Sequence, residues 1–262
     1  SSDLPEVFQM AGLRNKMSPY AEPSAIQGRL GYWSFEITTP LTEGTYEASH
    51  AAVDTAMTAM QFVLDGERAA YGLCRPPGHH ATTSLYGGYC FFNNAAIVAH
   101  HIATTRGVKV AVLDVDYHHG NGTQEIFYDR DDVLYLSLHG DPARAYPYAI
   151  GFADETGTGR GLGANLNIPL PARTGDDVYL SALDTAMQKA TSFGAEVVVV
   201  SLGLDTFVTD PICDLAVTTD GFRRCGELLA QAGLPTIVLQ EGGYDVPNLG
   251  INAQSWLTGL GA

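Results

Sequence analysis

From about residue 47 the chain alternates two apolar patterns. Stretches with apolar residues at helical spacing, Glu47–Leu64, Asn93–Thr105, Asp176–Phe193, Thr219–Ala232 and Leu249–Leu260, predict helices. Between them, short β-branched runs at Ala69–Leu73, Val108–Val115, Val133–Leu138, Glu196–Leu202 and Thr236–Leu239 predict strands. These runs are apolar throughout, as in strands covered on both faces of a parallel sheet. The expected class is therefore α/β, a single domain with a central, mostly parallel sheet and helices on both faces. Residues 1–46, with scattered Pro, Gly and aromatics, read as a loop-rich N-terminal segment ahead of the main domain at 47–262. The chain starts at Ser1 and not Met, and Ser1 to Asn15 offers no strand, so a truncated N-terminus is left open.

The polar residues gather where the strands end. RPPGHH follows Leu73, DVDYHHGNG follows Leu113, SLGLD follows Val200 and QEGGY follows Leu239. In an open parallel sheet the carboxyl-terminal edge is where ligands bind, so four chemically loaded loops are expected to meet in one crevice.

Composition narrows the partners. Of 262 residues, 14 are basic and 29 acidic, giving a net charge of −15. That balance repels phosphate backbones, so nucleic acid is not expected; it favours cationic small molecules, although solubility alone accounts for it as well. No apolar run is long enough to span a membrane and no signal peptide pattern is present, so a soluble, cytoplasmic protein is expected. Cys74, Cys90, Cys213 and Cys225 stand far apart, which argues against a disulfide framework or a cysteine zinc site and for reduced core thiols.

Within LDVDYHH, Asp116 and His118 are expected to project to the same side of an extended segment and to chelate one ion. Asp205, beyond the run VVVVSLGL, completes two carboxylates and one histidine with an open position, the pattern of a catalytic zinc. One such Asp alone reads equally as a helix cap or turn residue; the set at one sheet edge does not. His79 and His80 follow a rigid Pro-Pro-Gly turn and need different roles, because neighbouring side chains diverge. The one acting as general base is decided by its partner: a carboxylate keeps imidazole protonated and an amide does not, and Asp114 and Asn121 are available. Tyr244 in EGGYD can donate a hydrogen bond to a developing oxyanion. Tyr89 and Tyr146 are candidates for the walls of a narrow channel. His100 and His101 sit in a helical pattern and read as surface or packing residues; His119 and His50 read as structural.

The blocks RPPGHHA, GGYCFFNNAA, LDVDYHHGNGTQEIF, SLHGDP, SLGLDTF and EGGY, in this order from about Gly28 to the C-terminus, resemble the histone deacetylase and acetylpolyamine amidohydrolase superfamily, particularly its bacterial acetylpolyamine amidohydrolase-like and class II-like members. The resemblance implies an arginase/deacetylase-like fold and a zinc-dependent amidohydrolase that cleaves small N-acylated amines, such as acetylpolyamines, with metal-activated water. It implies Asp116, His118 and Asp205 as zinc ligands, His80 beside Asn121 as general base and acid, His79 beside Asp114 as a charged partner, and Tyr244 as the carbonyl-polarising hydroxyl. It implies a structural potassium ion at Asp114, Ser137 and Leu138 with carbonyls of Asp116 and His118. Gly88, Tyr89 and Tyr146 would bind substrate, and a homodimer would form through about Ala21–Gly44.

Two departures are visible. Gln27 and Thr38 stand where polyamine-selective relatives carry acids, with Glu36 and Glu43 nearby as substitutes, and the additional N-terminal strand and helix of relatives is not expected within this sequence; its loss from the protein would uncover one flank of the sheet. An acetyl-lysine protein deacetylase or a xenobiotic amide hydrolase of the same superfamily is an alternative. So is a catalytically silent acyl-amine receptor. A binuclear manganese ureohydrolase needs a carboxylate two residues after Asp205, where Phe207 stands.

Overall fold

The computed structural model describes residues 23–261, apart from the side chains of Gln27 and Leu30. Six strands, β1 (Ala69–Gly72), β2 (Val110–Asp114), β3 (Val133–Gly140), β4 (Asn165–Leu170), β5 (Val197–Leu202) and β6 (Thr236–Gln240), form one sheet in the order β1-β6-β5-β2-β3-β4. Every pairing is parallel. Helices α1 (Ile26–Tyr32), α2 (Thr45–Leu64), α3 (Asn94–Arg106), α4 (Asn121–Phe127), α5 (Asp176–Phe193), α6 (Thr219–Ala232) and α7 (Val246–Leu260) surround it. No helix among the described residues is long and apolar enough to cross a membrane.

The continuous apolar strands have the expected cause. Val110, Val112, Val197, Val199, Ile237 and Leu239 enter the core under α2 and α3, whereas Ala111, Leu113, Val198, Val200 and Val238 enter the core that contains residues of α5, α6 and α7. Alternate residues thus serve opposite faces, and both faces are dry. Helix starts are marked in the sequence: Asn93 Oδ1 accepts from Ala96 N at 2.9 Å, and Thr218 Oγ1 from Gly221 N at 3.0 Å. Among the described residues β1 is an edge strand, with Ala69, Ala70 and Tyr71 only half-buried.

Three elements depart from the expectation. Ile26–Tyr32 is helical within the segment read as loop, Asn121–Phe127 is a short helix, and Asn165–Leu170 is a sixth strand. The last carries Pro169 and two buried asparagines, which mask a strand pattern but suit a sheet edge. Strand order reverses between β2 and β5: from β2 the chain runs outward to β3 and β4, and from β5 to β6. The carboxyl ends of β2 and β5 therefore flank the crevice of a topological switch point.

Candidate active site

The segment after β2 delivers Asp116 and His118, and the segment after β5 delivers Asp205. His118 Nδ1 lies 3.0 Å from Asp205 Oδ2 and 3.3 Å from Asp116 Oδ1. Backbone amides fix the carboxylates: Tyr117 N donates to Asp205 Oδ1 at 2.8 Å, His118 N to Asp116 Oδ1 at 2.9 Å and Gly242 N to Asp116 Oδ2 at 2.8 Å. Gly242 has to be glycine, since a Cβ there would stand 2.7 Å from Asp116 Oδ2 and 2.8 Å from Asp205 Oδ2. The three side chains converge as expected, but residues 115–119 form a turn and not a strand, so the turn and its amide bonds, rather than strand alternation, bring Asp116 and His118 together.

This cluster seeks a cation. Asp116 and Asp205 are fully buried, and although burial opposes charge on His118, their carboxylates raise it to about 10. Burial and the neighbouring Asp116 charge push Asp205 up to about 7. Asp116 is held well below the usual carboxylate range because His79 and His118 outweigh its burial. Two carboxylates and an imidazole that draw in a proton so strongly fit a borderline-soft divalent ion such as zinc. Cys213, expected as a core thiol, departs from that expectation. It is half-buried, and its sulfur, a His118 nitrogen and an Asp205 oxygen lie within 4.8 Å of one another. Cys74, Cys90 and Cys225 are buried and free.

The loop after β1 holds His79 and His80, whose ring centroids are 4.0 Å apart and whose partners differ in charge. His79 Nδ1 lies 3.0 Å from Asp114 Oδ2, while His80 Nδ1 lies 2.7 Å from Asn121 Oδ1. Burial opposes charge on both rings. At His79 it is overcome by Asp114, Asp116 and Glu241, which raise its pKa well above 6.5. At His80 burial is reinforced by His79 and His118, which hold its pKa well below 6.5. One histidine is therefore a fixed cation and its neighbour a neutral base.

Asp114 also accepts from the Tyr135 hydroxyl at 3.0 Å and from Asp116 N at 3.2 Å. It stands in register with Ser137, whose hydroxyl is engaged with His139 Nδ1 at 2.8 Å. Leu138 follows within β3. Glu241 was missed by the sequence reading. Its Oε2 accepts from Gly78 N at 2.6 Å and His79 N at 3.2 Å, so it anchors the histidine loop, and burial, opposed by His79, pushes it up to about 7. The signal was a lone acid just after β6 in QEGGY, hidden beside Tyr244.

Tyr244 N donates to Asp210 Oδ2 at 2.8 Å, and the Tyr244 ring lies 6.5 Å from His118 and 6.4 Å from Tyr89. Its hydroxyl makes no hydrogen bond among the described residues. Burial, followed by the Asp116 and Asp205 charges, raises its pKa and keeps it a proton donor. Tyr146 lies 4.9 Å from His80, ring to ring, and 6.0 Å from His118. Gly88 packs directly on His80, where a Cβ would come within 2.2 Å of Cδ2. Gly88 and Tyr146 thus border the histidines, and Tyr89 faces Tyr244. A cavity of about 760 Å³ opens beside Tyr89 and Tyr244, lined also by Thr39, Arg75, Pro77 and Gly242.

The remaining histidines lie elsewhere. His100 and His101 are on α3, His50 is on α2 between the rings of Tyr46 and Phe92, and His119 is buried against Gln124 at 3.0 Å. Phe207 is buried and stacked on Phe222, so no carboxylate for a second ion stands at that position. Gln27 and Ala21 lie outside the described side chains. Thr38 donates to Glu36 through both its amide and its hydroxyl.

The histone deacetylase domain family matches residues 10–260. Acetylpolyamine amidohydrolase 1 of Pseudomonas aeruginosa is 48% identical over 237 residues, covering 90% of this chain and 68% of that protein. The acetylpolyamine amidohydrolase of Mycoplana ramosa is 44% identical over 238 residues, covering 91% and 70%. The crystal structure of acetylpolyamine aminohydrolase from Burkholderia pseudomallei superposes with a TM-score of 0.87 at 44% identity, covering 92% of this chain and 71% of that one. In sequence and fold, this chain belongs to the histone deacetylase domain family.

Proposed function

We propose that this protein is a metal-dependent amidohydrolase that removes acyl groups from small N-acylated amines, acetylpolyamines foremost, and that Asp116, His118 and Asp205 hold its metal. The observation carrying this reading is the contrast between the two adjacent histidines: His80, neutral beside Asn121, and His79, charged beside Asp114. The names of the relatives, acetylpolyamine amidohydrolases, support the substrate class.

Zinc at this site would polarise the substrate carbonyl and lower the pKa of a water molecule towards neutrality. His80 Nε2, its ring oriented through Nδ1 by Asn121, takes the proton of the attacking water and returns it to the departing amine nitrogen, a contribution of about 10² to 10⁴ in rate. His79 stays protonated on Asp114 and stabilises negative charge as it develops. The Tyr244 hydroxyl donates to the former carbonyl oxygen, and Gly88, Tyr89 and Tyr146 align the extended part of the substrate.

Potassium is the expected structural ion for Asp114, Ser137 and Leu138, with carbonyls of Asp116 and His118. A homodimer through the region ending at Gly44 is supported by the exposed apolar Ile26, Trp33, Ile37 and Leu41, whereas Tyr32 is buried and Phe35 stacks on Tyr146. The cytoplasm, where free thiols stay reduced, is the compartment that suits the unpaired cysteines.

The test is kinetics on N-acetylputrescine, an acetyl-lysine peptide and a neutral anilide. The highest kcat/KM is expected on N-acetylputrescine. Preference for the peptide or anilide would reassign the substrate within the family, and turnover of none would reduce the protein to an acyl-amine receptor.

A further inference from the structure

Two glycines precede Tyr244, and a freely turning backbone sits badly with the role of its hydroxyl. A donor to a developing oxyanion acts only from a fixed place, and a displacement of about 1 Å costs on the order of 10²-fold in rate. Gly242 is pinned, its N donating to Asp116 Oδ2 and its O accepting from Leu204 N, both at 2.8 Å. Gly243 then takes φ 142°, a backbone angle that suits glycine. Beyond it the Tyr244 side chain ends in a hydroxyl that no hydrogen bond among the described residues holds. The position of Tyr244 has to be set through its backbone.

The tether comes from the loop after β5. Asp210 is buried, and its Oδ2 accepts from Tyr244 N at 2.8 Å. Its Oδ1 accepts from Ile212 N at 3.1 Å, a turn in which Asp210 bonds the amide two residues on, across Pro211, and which fixes the carboxylate. The Asp210 amide closes on Phe207 O and Val208 N on Val217 O, both at 2.9 Å. The same loop is tied to the metal-ligand turn by Tyr117, whose amide donates to Asp205 Oδ1 and whose hydroxyl donates to Asp214 Oδ1, both at 2.8 Å. Asp116, His118 and Asp205 thus share one bonded frame with Asp210, and through Asp210 the Tyr244 backbone joins it. The neighbouring bond from Thr209 Oγ1 to Asp245 Oδ2 is exposed, where water competes for it.

We propose that Asp210 is a positioning residue for the hydrolysis: its carboxylate fixes the Tyr244 backbone and thereby the reach of the Tyr244 hydroxyl over the metal ligands. This rests on the reading of Tyr244 as the oxyanion donor of an amide hydrolase. It gives a role to a buried acid outside the metal and histidine cluster.

The experiment is a double-mutant cycle on N-acetylputrescine with Asp210→Ala, Tyr244→Phe and the pair, joined by a fluorine NMR spectrum of protein carrying 3-fluorotyrosine in place of Tyr244. Asp210→Ala should lower kcat by about 10- to 100-fold with KM and metal content little changed. In the Tyr244→Phe background the same change should cost less than about threefold, because the hydroxyl it positions is already gone. Asp210→Asn, which keeps an acceptor oxygen, should recover most of the loss. The labelled tyrosine should give one fluorine resonance, broadened or split by Asp210→Ala. An undiminished kcat in Asp210→Ala, an equal fall in both backgrounds, a loss of metal in step with activity, or an unaltered fluorine spectrum would each overturn the proposal. If wild type hydrolyses nothing, the hydrolase reading fails, and the fluorine spectrum still decides whether Asp210 holds Tyr244. If Asp210→Ala does not fold, Asp210→Ser, too short to reach the amide, decides by the same cycle and spectrum.

Discussion

Asn121 Oδ1 stands 2.7 Å from His80 Nδ1 and brings no charge to it. One ring away, Asp114 makes the corresponding contact with His79 at 3.0 Å, and the two imidazoles hold opposite protonation states. The difference between amide and carboxylate is therefore what divides the labour of the pair.

Replacing the amide by a carboxylate tests this division. In Asn121→Asp the new negative charge raises the pKa of His80, so the base is protonated over more of the neutral range. The acid limb of the pH profile of kcat/KM should move upward by about 1 to 3 units, with lower turnover at pH 7. An unmoved limb would assign the base elsewhere.

Tyr244 lies across from His118 with an unengaged hydroxyl. Tyr244→Phe removes one donor to the oxyanion without disturbing the ring, so kcat should fall by about 10² to 10³ with little change in metal content or Tm. Unchanged turnover would favour the receptor reading.

Gly242 carries no side chain and is still decisive. A methyl group at this position would press on Asp116 Oδ2 and Asp205 Oδ2 at 2.7 and 2.8 Å, and both carboxylates are pinned by backbone amides. Gly242→Ala should therefore lose most bound metal and activity together, read by elemental analysis and hydrolysis on one sample. Retention of both would show that the carboxylates can give way.

His139 gives a pH test of stability separate from catalysis. Its ring is buried between Ser137 Oγ and Gly151 O, both at 2.8 Å, and burial lowers its pKa from 6.5 to about 4. A folded pKa below the unfolded one means that unfolding takes up a proton as the solution acidifies. The stabilisation is complete above pH 6.5 and declines as the pH falls towards 4, by about 2 kcal/mol at pH 5. His139→Asn should lose correspondingly less stability than wild type between pH 7 and 5 in chemical denaturation. Parallel losses would remove His139 from the account.

Much of the architecture could be read from the chain because its strands are dry on both faces. Five runs such as VVVVSL leave no other reading, and the polar residues just beyond them had to share one sheet edge. Asn165–Leu170 was illegible for the opposite reason: Asn165 and Asn167 are buried against Gln124, so their polarity reflects a hydrogen-bond network rather than exposure. Asp116, His118 and Asp205 were legible as a set, but not the turn that aims two of them. Glu241 was harder to see, because it acts by accepting backbone amides distant in sequence, a role with no local pattern.

The central claim is that one divalent ion at Asp116, His118 and Asp205 is needed for amide hydrolysis. Metal content per chain should be measured together with N-acetylputrescine hydrolysis, before chelation, after it, and after zinc is restored. The account predicts one ion per chain, with activity lost and regained in proportion to it. Full turnover by metal-free protein, or two ions per chain, would contradict it.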